Sequence, residues 1–175
     1  MPDRGRGYVT LMIRSCHDAD FDAILEIIND AASAYRGVIP AKQWHEPYMS
    51  AAELRDEMIA QVQFWGYERA GRLVGVMGIQ DIDDVTLIRH AYVRTQHRNH
   101  GIGERLLAHL RTLTNRPLLI GTWADANWAI GFYERRGFHV VSEGERDRLL
   151  QRYWTVTADQ IDASVVLADQ RWLDT

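Results

Sequence analysis

Apolar and polar positions alternate along "YVTLMIRS", with Val9, Leu11 and Ile13 on one side, the pattern of a half-buried strand. The period then lengthens. Phe21, Ile24, Leu25, Ile28 and Tyr35 recur at helical spacing behind a candidate N-cap, Asp18, with Asp20 and Asp22 suited to the positive end of a helix. Gly37, Pro40 and Pro47 break the pattern, so "YRGVIPAKQWHEPYMS" reads as a long loop. An S-x-x-E capping box from Ser50 to Glu53 opens a second helix.

Strand patterns follow in "QFWGYERA", "LVGVMGIQDI" and "VTLIRHAYV", separated by turn signals at Gly71 and at Asp83-Asp84. Ile102, Leu106, Leu110 and Leu113 mark one face of a third helix. "RPLLIGTWAD" is a buried-type strand, "NWAIGFYERR" a short helix with Gly137 as its C-cap, and "FHVVS" returns to strand. A second S-x-x-E box, Ser142 to Glu145, predicts a helix over about 143 to 154, and "ASVVLAD" closes as a strand. The order is that of a mixed α/β domain: an antiparallel run first, then a helical crossover after the fourth strand. Without repeats or low-complexity linkers, residues 1–175 read as one domain.

Composition narrows the function classes. At 175 residues, with 46% hydrophobic and 25% charged positions, the chain has ordinary globular proportions. No apolar run approaches the ~18 residues of a membrane span, and "MPDRGRGYVT" lacks the apolar segment of a signal peptide. Cys16 is the only cysteine, so no internal disulfide can form. These features predict a cytoplasmic protein with no membrane partner. A formal charge of -4 argues against nucleic acid, whose phosphates are held mainly by excess basic charge. His97 and His100 lie three apart without a third ligand, so no metal is expected. Met12, Met49, Met58 and Met77 read as packing residues.

"HRNHGIGERLLAHL" places two glycines at the mouth of the third helix. Amides at a helix start lack partners within the helix, and the helix dipole makes that end positive, so together they form an anion site. Gly101 and Gly103 carry no Cβ to hold a pyrophosphate off, and Arg98 and a protonated His100 would add charge-assisted bonds. A Walker A loop is excluded because Lys42 is the only lysine and lies far away. A dinucleotide loop needs a third glycine where Leu106 stands. The remaining pattern is strand, R-x-x-G-x-G, helix.

That pattern, in "YVRTQHRNHGIGERLLAHL", resembles the acyl-CoA signature of the GNAT superfamily of N-acetyltransferases, with Arg98, Gly101 and Gly103 at the signature positions. "NWAIGFYERRGF" is similar to a second family element, in which Asn, Phe-Tyr and Gly-Phe follow in order. One departure is Thr95, where many members carry proline. The resemblance implies a mixed, mostly antiparallel central sheet of about seven strands flanked by helices. It also implies acetyl-CoA as co-substrate, held by Val93, Arg98, Asn99, His100, Gly101, Ile102, Gly103, Glu104 and Asn127.

Direct acetyl transfer to an amine needs a neutral nitrogen, a donor to the developing oxyanion and a proton for the departing thiolate. By resemblance, Tyr133 is the acid and the Val93 amide the oxyanion donor, on a fourth strand that splays from its neighbour. A phenol of pKa ~10 keeps its proton at neutral pH. His90 is the candidate base. Strand alternation sets Leu87, Arg89 and Ala91 on one face and His90 and Tyr92 on the other, unless a bulge shifts the phase. Arg36, Trp44, His45 and Glu46 in the long loop, with Arg89, are expected around the acceptor.

Deprotonating an α-amine at pH 7 costs about 1.4 kcal/mol against about 4.6 for a lysine-type amine. With Arg36 and Arg89 as carboxylate holders, the expected acceptor is a small molecule acetylated on its amine, an amino acid or related amino-carboxylate. The alternatives are a protein, peptide or aminoacyl-tRNA acetyltransferase, and a non-catalytic acetyl-CoA sensor. The expected partners are thus a small-molecule amine and, at most, a second copy of the chain in a homodimer.

Overall fold

The computed structural model describes residues 11–175, so Val9 and the basic N-terminal stretch lie outside the described residues. Seven strands form one sheet in the order β1-β2-β3-β4-β5-β7-β6. They are β1 (Leu11–Ser15), β2 (Gln63–Arg69), β3 (Arg72–Ile82), β4 (Val85–Val93), β5 (Leu118–Trp123), β6 (Phe138–Val140) and β7 (Ser164–Asp169). Only β4 and β5 run parallel, joined by the expected helical crossover. The two-residue turns at Ala70-Gly71 and Asp83-Asp84 have positive φ where a tight hairpin needs it: 50° and 75° in the first, 48° at Asp83 in the second.

Helices cover both faces. On one side α3 (Ile102–Arg111) and α4 (Asn127–Glu134) bury Ile102, Leu106, Leu107, Leu110 and Tyr133 against Met77, Ile79 and Ile88. On the other, α1 (Phe21–Ala32) and α2 (Ala51–Ile59) pack Ile24, Ile27, Ile28 and Leu54 on Phe64 and Val76. Two helices inserted between β6 and β7, α5 (Glu143–Tyr153) and α6 (Ala158–Asp162), seal a third cluster around Leu87 and Leu119, and α7 (Gln170–Leu173) ends the chain.

Several local expectations shift. Asp18 begins a one-turn 3-10 helix and α1 starts at Phe21, because the Asp20 carboxylate is occupied by Arg14 and by the His17 N–H. Tyr35 belongs to a 3-10 turn after α1. Leu113 falls beyond the end of α3 and is 44% exposed. The Ser142 hydroxyl caps α5 as expected, but the Glu145 carboxylate accepts from the Trp172 indole instead of closing the box.

The feature that shapes the site is a bulge in β4. Val76 pairs with Tyr92 and Gly78 with Arg89, so His90 and Ala91 together oppose the single residue Met77. His90 takes φ 51°, a strained value for a non-glycine residue. The bulge reverses the alternation expected from the sequence. Ile88, Ala91 and Val93 pack on the α3 side, while Tyr92 packs on the α1 side and Arg89 reaches Glu57 of α2. Pairing of β4 with β5 stops at Ile88 and Ile120, and β5 continues along β7 instead. A wedge opens between the two strands. Among the described residues no helix is long and apolar enough to cross a membrane.

Candidate active site

A cleft of ≈ 450 Å³ runs through the wedge and draws its walls from both faces of the sheet. Its α3 side is built largely from backbone. The first turn of α3 has no side-chain cap, so the amides of Ile102, Gly103 and Glu104 keep no partner within the helix. Gly101 enters the helix at φ 74°, and a Cβ there would meet no protein atom within 4 Å, so the space beside it is open to a ligand. At Gly75 of β3 a Cβ would come within 2.8 Å of Ile102 Cγ2, so glycine lets the start of α3 lie directly on the sheet.

Arg98, Asn99, Gly101, Ile102, Gly103 and Glu104, expected to hold the cofactor, all line the cleft. His100 does not; it is exposed, with its Nδ1 3.2 Å from the His97 carbonyl. Asn127 is also exposed, at the first position of α4 behind Ala126 as N-cap, and it too lies outside the cleft lining. His97, Arg135 and Arg136 join the lining unexpectedly. The Arg136 guanidinium lies 3.9 Å over the Phe132 ring and 3.2 Å from a Glu104 oxygen. Three arginines against one glutamate leave this side net positive, which fits a ligand carrying several phosphate charges.

At the junction of the two sides stand Val93 and Tyr133. The Arg94 N–H donates to Val74 O at 2.8 Å. Bonds alternate in an antiparallel ladder, so the Val93 amide turns away from β3 and toward the wedge. Tyr133 packs edge-on to Phe132 (5.1 Å) and Phe138 (5.8 Å). Burial holds its phenol well above the ordinary value, and the neighbouring Tyr35 phenol adds to the shift. The hydroxyl therefore stays protonated and able to donate.

The α1 side is aromatic. Tyr35 stacks on Trp128 with ring centres 5.7 Å apart, and lies 5.6 Å from Tyr48 and 6.4 Å from Tyr92. The Trp123 indole N–H donates to the Tyr48 hydroxyl at 2.9 Å, fixing the long loop across the end of β5. Burial pushes Tyr35 up to about 12 and raises Tyr48 and Tyr92 as well, so all three phenols are neutral at physiological pH.

The other expected acceptor residues stand outside the cleft lining. Arg36 pairs with Glu46 on the surface and lies over the Trp44 ring, which stacks with His45 on Tyr48. Arg89 is held at 3.0 Å by both Glu57 and Gln80. His90 stacks on Phe64, its Nε2 3.2 Å from Glu57, and lies outside the cleft lining. Burial alone would raise the Glu57 carboxyl, but His90 and Arg89 outweigh it and hold it below its ordinary value. Neither arginine is free for a substrate carboxylate, and the imidazole expected as base is engaged elsewhere.

Sequence reading missed Tyr35, Tyr92 and Trp128, and Met77, read as packing, also lines the cleft. One signal was available: Trp128, Phe132, Arg135 and Arg136 follow i, i+4, i+7, i+8, a single helical face that is half aromatic and half cationic. Tyr35 and Tyr92 had no local signal.

Comparison with known proteins accords with this geometry. A family model described as an acetyltransferase (GNAT) domain matches residues 60–140. The chain is 25% identical over 146 residues to the peptidyl-lysine N-acetyltransferase YiaC of Escherichia coli K12, covering 83% of this chain and 95% of that protein. Among solved structures, the PaiA N-acetyltransferase of Thermoplasma acidophilum in complex with coenzyme A superposes with TM-score 0.70 at 16% identity, over 91% of this chain and 98% of that one. The ribosomal-protein-S18-alanine N-acetyltransferase of Escherichia coli gives 0.64 at 17% identity, over 91% and 93%. Those two likenesses establish the fold.

Proposed function

The chain belongs to the GNAT family of acetyl-CoA-dependent N-acetyltransferases, and from that premise we propose that it acetylates a primary amine of a small molecule entering from the α1 side. The observation that carries this is the wedge. It joins an amide-rich, cationic wall to an uncharged aromatic one, with the Val93 amide and the Tyr133 hydroxyl between them.

Acetyl-CoA supplies an activated acetyl group on a thiol leaving group. In this reading the free amides of 102–104 and Arg98 bind its pyrophosphate, with Arg135 and Arg136 adding charge. The Val93 N–H donates to the thioester carbonyl oxygen and strengthens its bond as negative charge develops there. Tyr133 donates its proton to the departing sulfur as the C–S bond breaks and the N–C bond forms, and the resulting phenolate takes up the proton that the acetylated nitrogen sheds, directly or through water. Among the described residues no carboxylate lines the acceptor side, so the pocket favours the neutral amine by excluding water from the ammonium.

A peptidyl lysine, the acceptor in the name of the YiaC relative, is the rival. An extended polypeptide needs an open groove, whereas here two contacts tie the long loop to the far part of the fold. Tyr48 ties the long loop to Trp123 of β5, and Lys42 of that loop meets Asp159 of α6 at 2.9 Å. The test is thiol release from acetyl-CoA across small amines, a lysine-containing peptide and a peptide with a free N-terminal alanine. Small amines should give the higher kcat/KM. Preference for either peptide over its matching small amine would overturn the small-molecule reading.

A further inference from the structure

The aromatic wall narrows the acceptor further, on the premise that this cleft performs acetyl transfer. Among the described residues, the arginines and carboxylate lining the cleft are Arg98, Glu104, Arg135 and Arg136, from the loop before α3, the first turn of α3 and the end of α4. The α1 side presents Ala31, Ala34, Tyr35 and Tyr92, and Trp128 from the start of α4 stacks on Tyr35. We infer that the acceptor is a primary amine on an apolar or aromatic body bearing no carboxylate, with that body packed against Tyr35 and Trp128.

Three observations converge. First, a carboxylate on the acceptor would find no partner: Arg36 is paired with Glu46, and Arg89 with Glu57 and Gln80. Arg98 bears on Tyr35 from across the cleft, but acetyl-CoA phosphates would occupy it during turnover. An unpaired carboxylate would lose its hydration without compensation. Second, Trp128 is 44% exposed beside the half-buried Tyr35, an apolar ring pair where a second aromatic or alkyl group gains contact area. The π faces also attract an ammonium as it approaches, without the permanent counter-charge that would hold it protonated. Third, the phenols of Tyr35 and Tyr92 line the cleft and offer oxygen acceptors to an amine N–H while staying neutral themselves. Tyr48 stands beside Tyr35, its ring centre 5.6 Å away and its hydroxyl accepting from the Trp123 N–H. The pocket therefore orients an amine by hydrogen bonds and shape, and among the described residues its α1 side offers no cation to receive an α-carboxylate.

Binding and turnover are measured separately. Protein saturated with coenzyme A, so that Arg98 is occupied, is titrated by calorimetry with 2-phenylethylamine and phenylalanine, then with n-butylamine and γ-aminobutyrate. Each amine should bind about tenfold or more tighter than its carboxylated partner, the scale of an unpaired buried polar group. Trp128→Leu and Tyr35→Leu should weaken 2-phenylethylamine by about threefold to tenfold while coenzyme A affinity holds, and Tyr35→Phe should retain the ring contact. Carboxylated partners binding equally well, no amine binding at all, or Trp128→Leu leaving amine affinity unchanged would each overturn the inference. Product is followed by mass in parallel with acetyl-CoA. Amines that bind in the expected order but are not acetylated would sink the transfer reading and leave the pocket standing. Acetylation that favours amino acids would do the reverse.

Discussion

The α3 side of the cleft is walled largely by backbone: three uncapped amides at a helix start, a glycine at φ 74°, and arginines from the adjoining loop and from the end of α4. The α1 side is walled by rings, drawn from the turn after α1, the strand end past the bulge, and the exposed face of α4. The first kind of wall recognises charge and depends on short-range chain geometry. The second recognises shape and depends on which distant side chains the fold brings together. A chemistry common to a family can reside in the first while acceptor choice varies through the second, because a phosphate asks the same of any helix start whereas each amine presents a different body.

The largest expected effect lies where the two sides meet. Tyr133→Phe keeps the ring packing on Phe132 and Phe138 and removes only the hydroxyl that donates the proton, so kcat should fall by ~10²–10⁴-fold with acetyl-CoA affinity unchanged. A near-normal kcat, with chemistry shown to be rate-limiting, would return Tyr133 to the core and leave the junction without an acid. Next comes the backbone wall. Gly101→Val places a branched residue at φ 74° and fills the open space beside the helix start, so calorimetry should record acetyl-CoA binding weakened by about tenfold to a hundredfold. Unaltered affinity in a folded variant would mean the phosphates bind elsewhere.

A smaller effect separates the walls. Glu57→Gln weakens the tie from α2 to Arg89 and His90 behind the aromatic side. Chemical denaturation should show a loss of about 1.5–3 kcal/mol, the worth of hydrogen bonds to charged groups, with acetyl-CoA binding intact. A loss of cofactor affinity would show the two sides to be coupled through β4.

The smallest effect is a control remote from both walls. Asp20 is held down to about 2, first by the Arg14 guanidinium and then by the His17 N–H, against the opposing pull of burial. A carboxyl depressed in the folded state contributes stability above its unfolded pKa of ~3.9 and loses it as pH falls toward the folded value. The stability gap between the protein and Asp20→Asn should therefore be full near neutral pH and shrink between about pH 4 and about pH 2. A gap that grew on acidification would reverse the sign of this linkage.

Much of the backbone wall was legible in advance. R-x-x-G-x-G between a strand and an amphipathic helix states its own geometry, since the residues that make the anion site are neighbours in the chain. His100 and Asn127 were the exceptions, placed by motif position and turned to solvent by the fold. The aromatic wall was not legible. Its members are separated by up to 93 positions, from Tyr35 to Trp128, and each taken singly looks like an ordinary core or surface aromatic. The loop residues Arg36, Trp44, His45 and Glu46 form the dense polar-aromatic group that local composition suggests, yet they satisfy one another around Tyr48 and stay out of the cleft.

By itself the sequence determined the order of elements, the hairpin turns, the crossover after β4 and the glycine-flanked start of α3, because each is a consequence of periodicity or turn chemistry over a few residues. Only the tertiary structure decided which way β4 presents its side chains. One extra residue at His90 reverses the alternation, brings Tyr92 and Arg89 to the same side, and opens the wedge by ending the pairing at Ile88. A strand's period of two makes every side chain downstream of a bulge change face, and whether a strand bulges is settled by its neighbours rather than by its own residues.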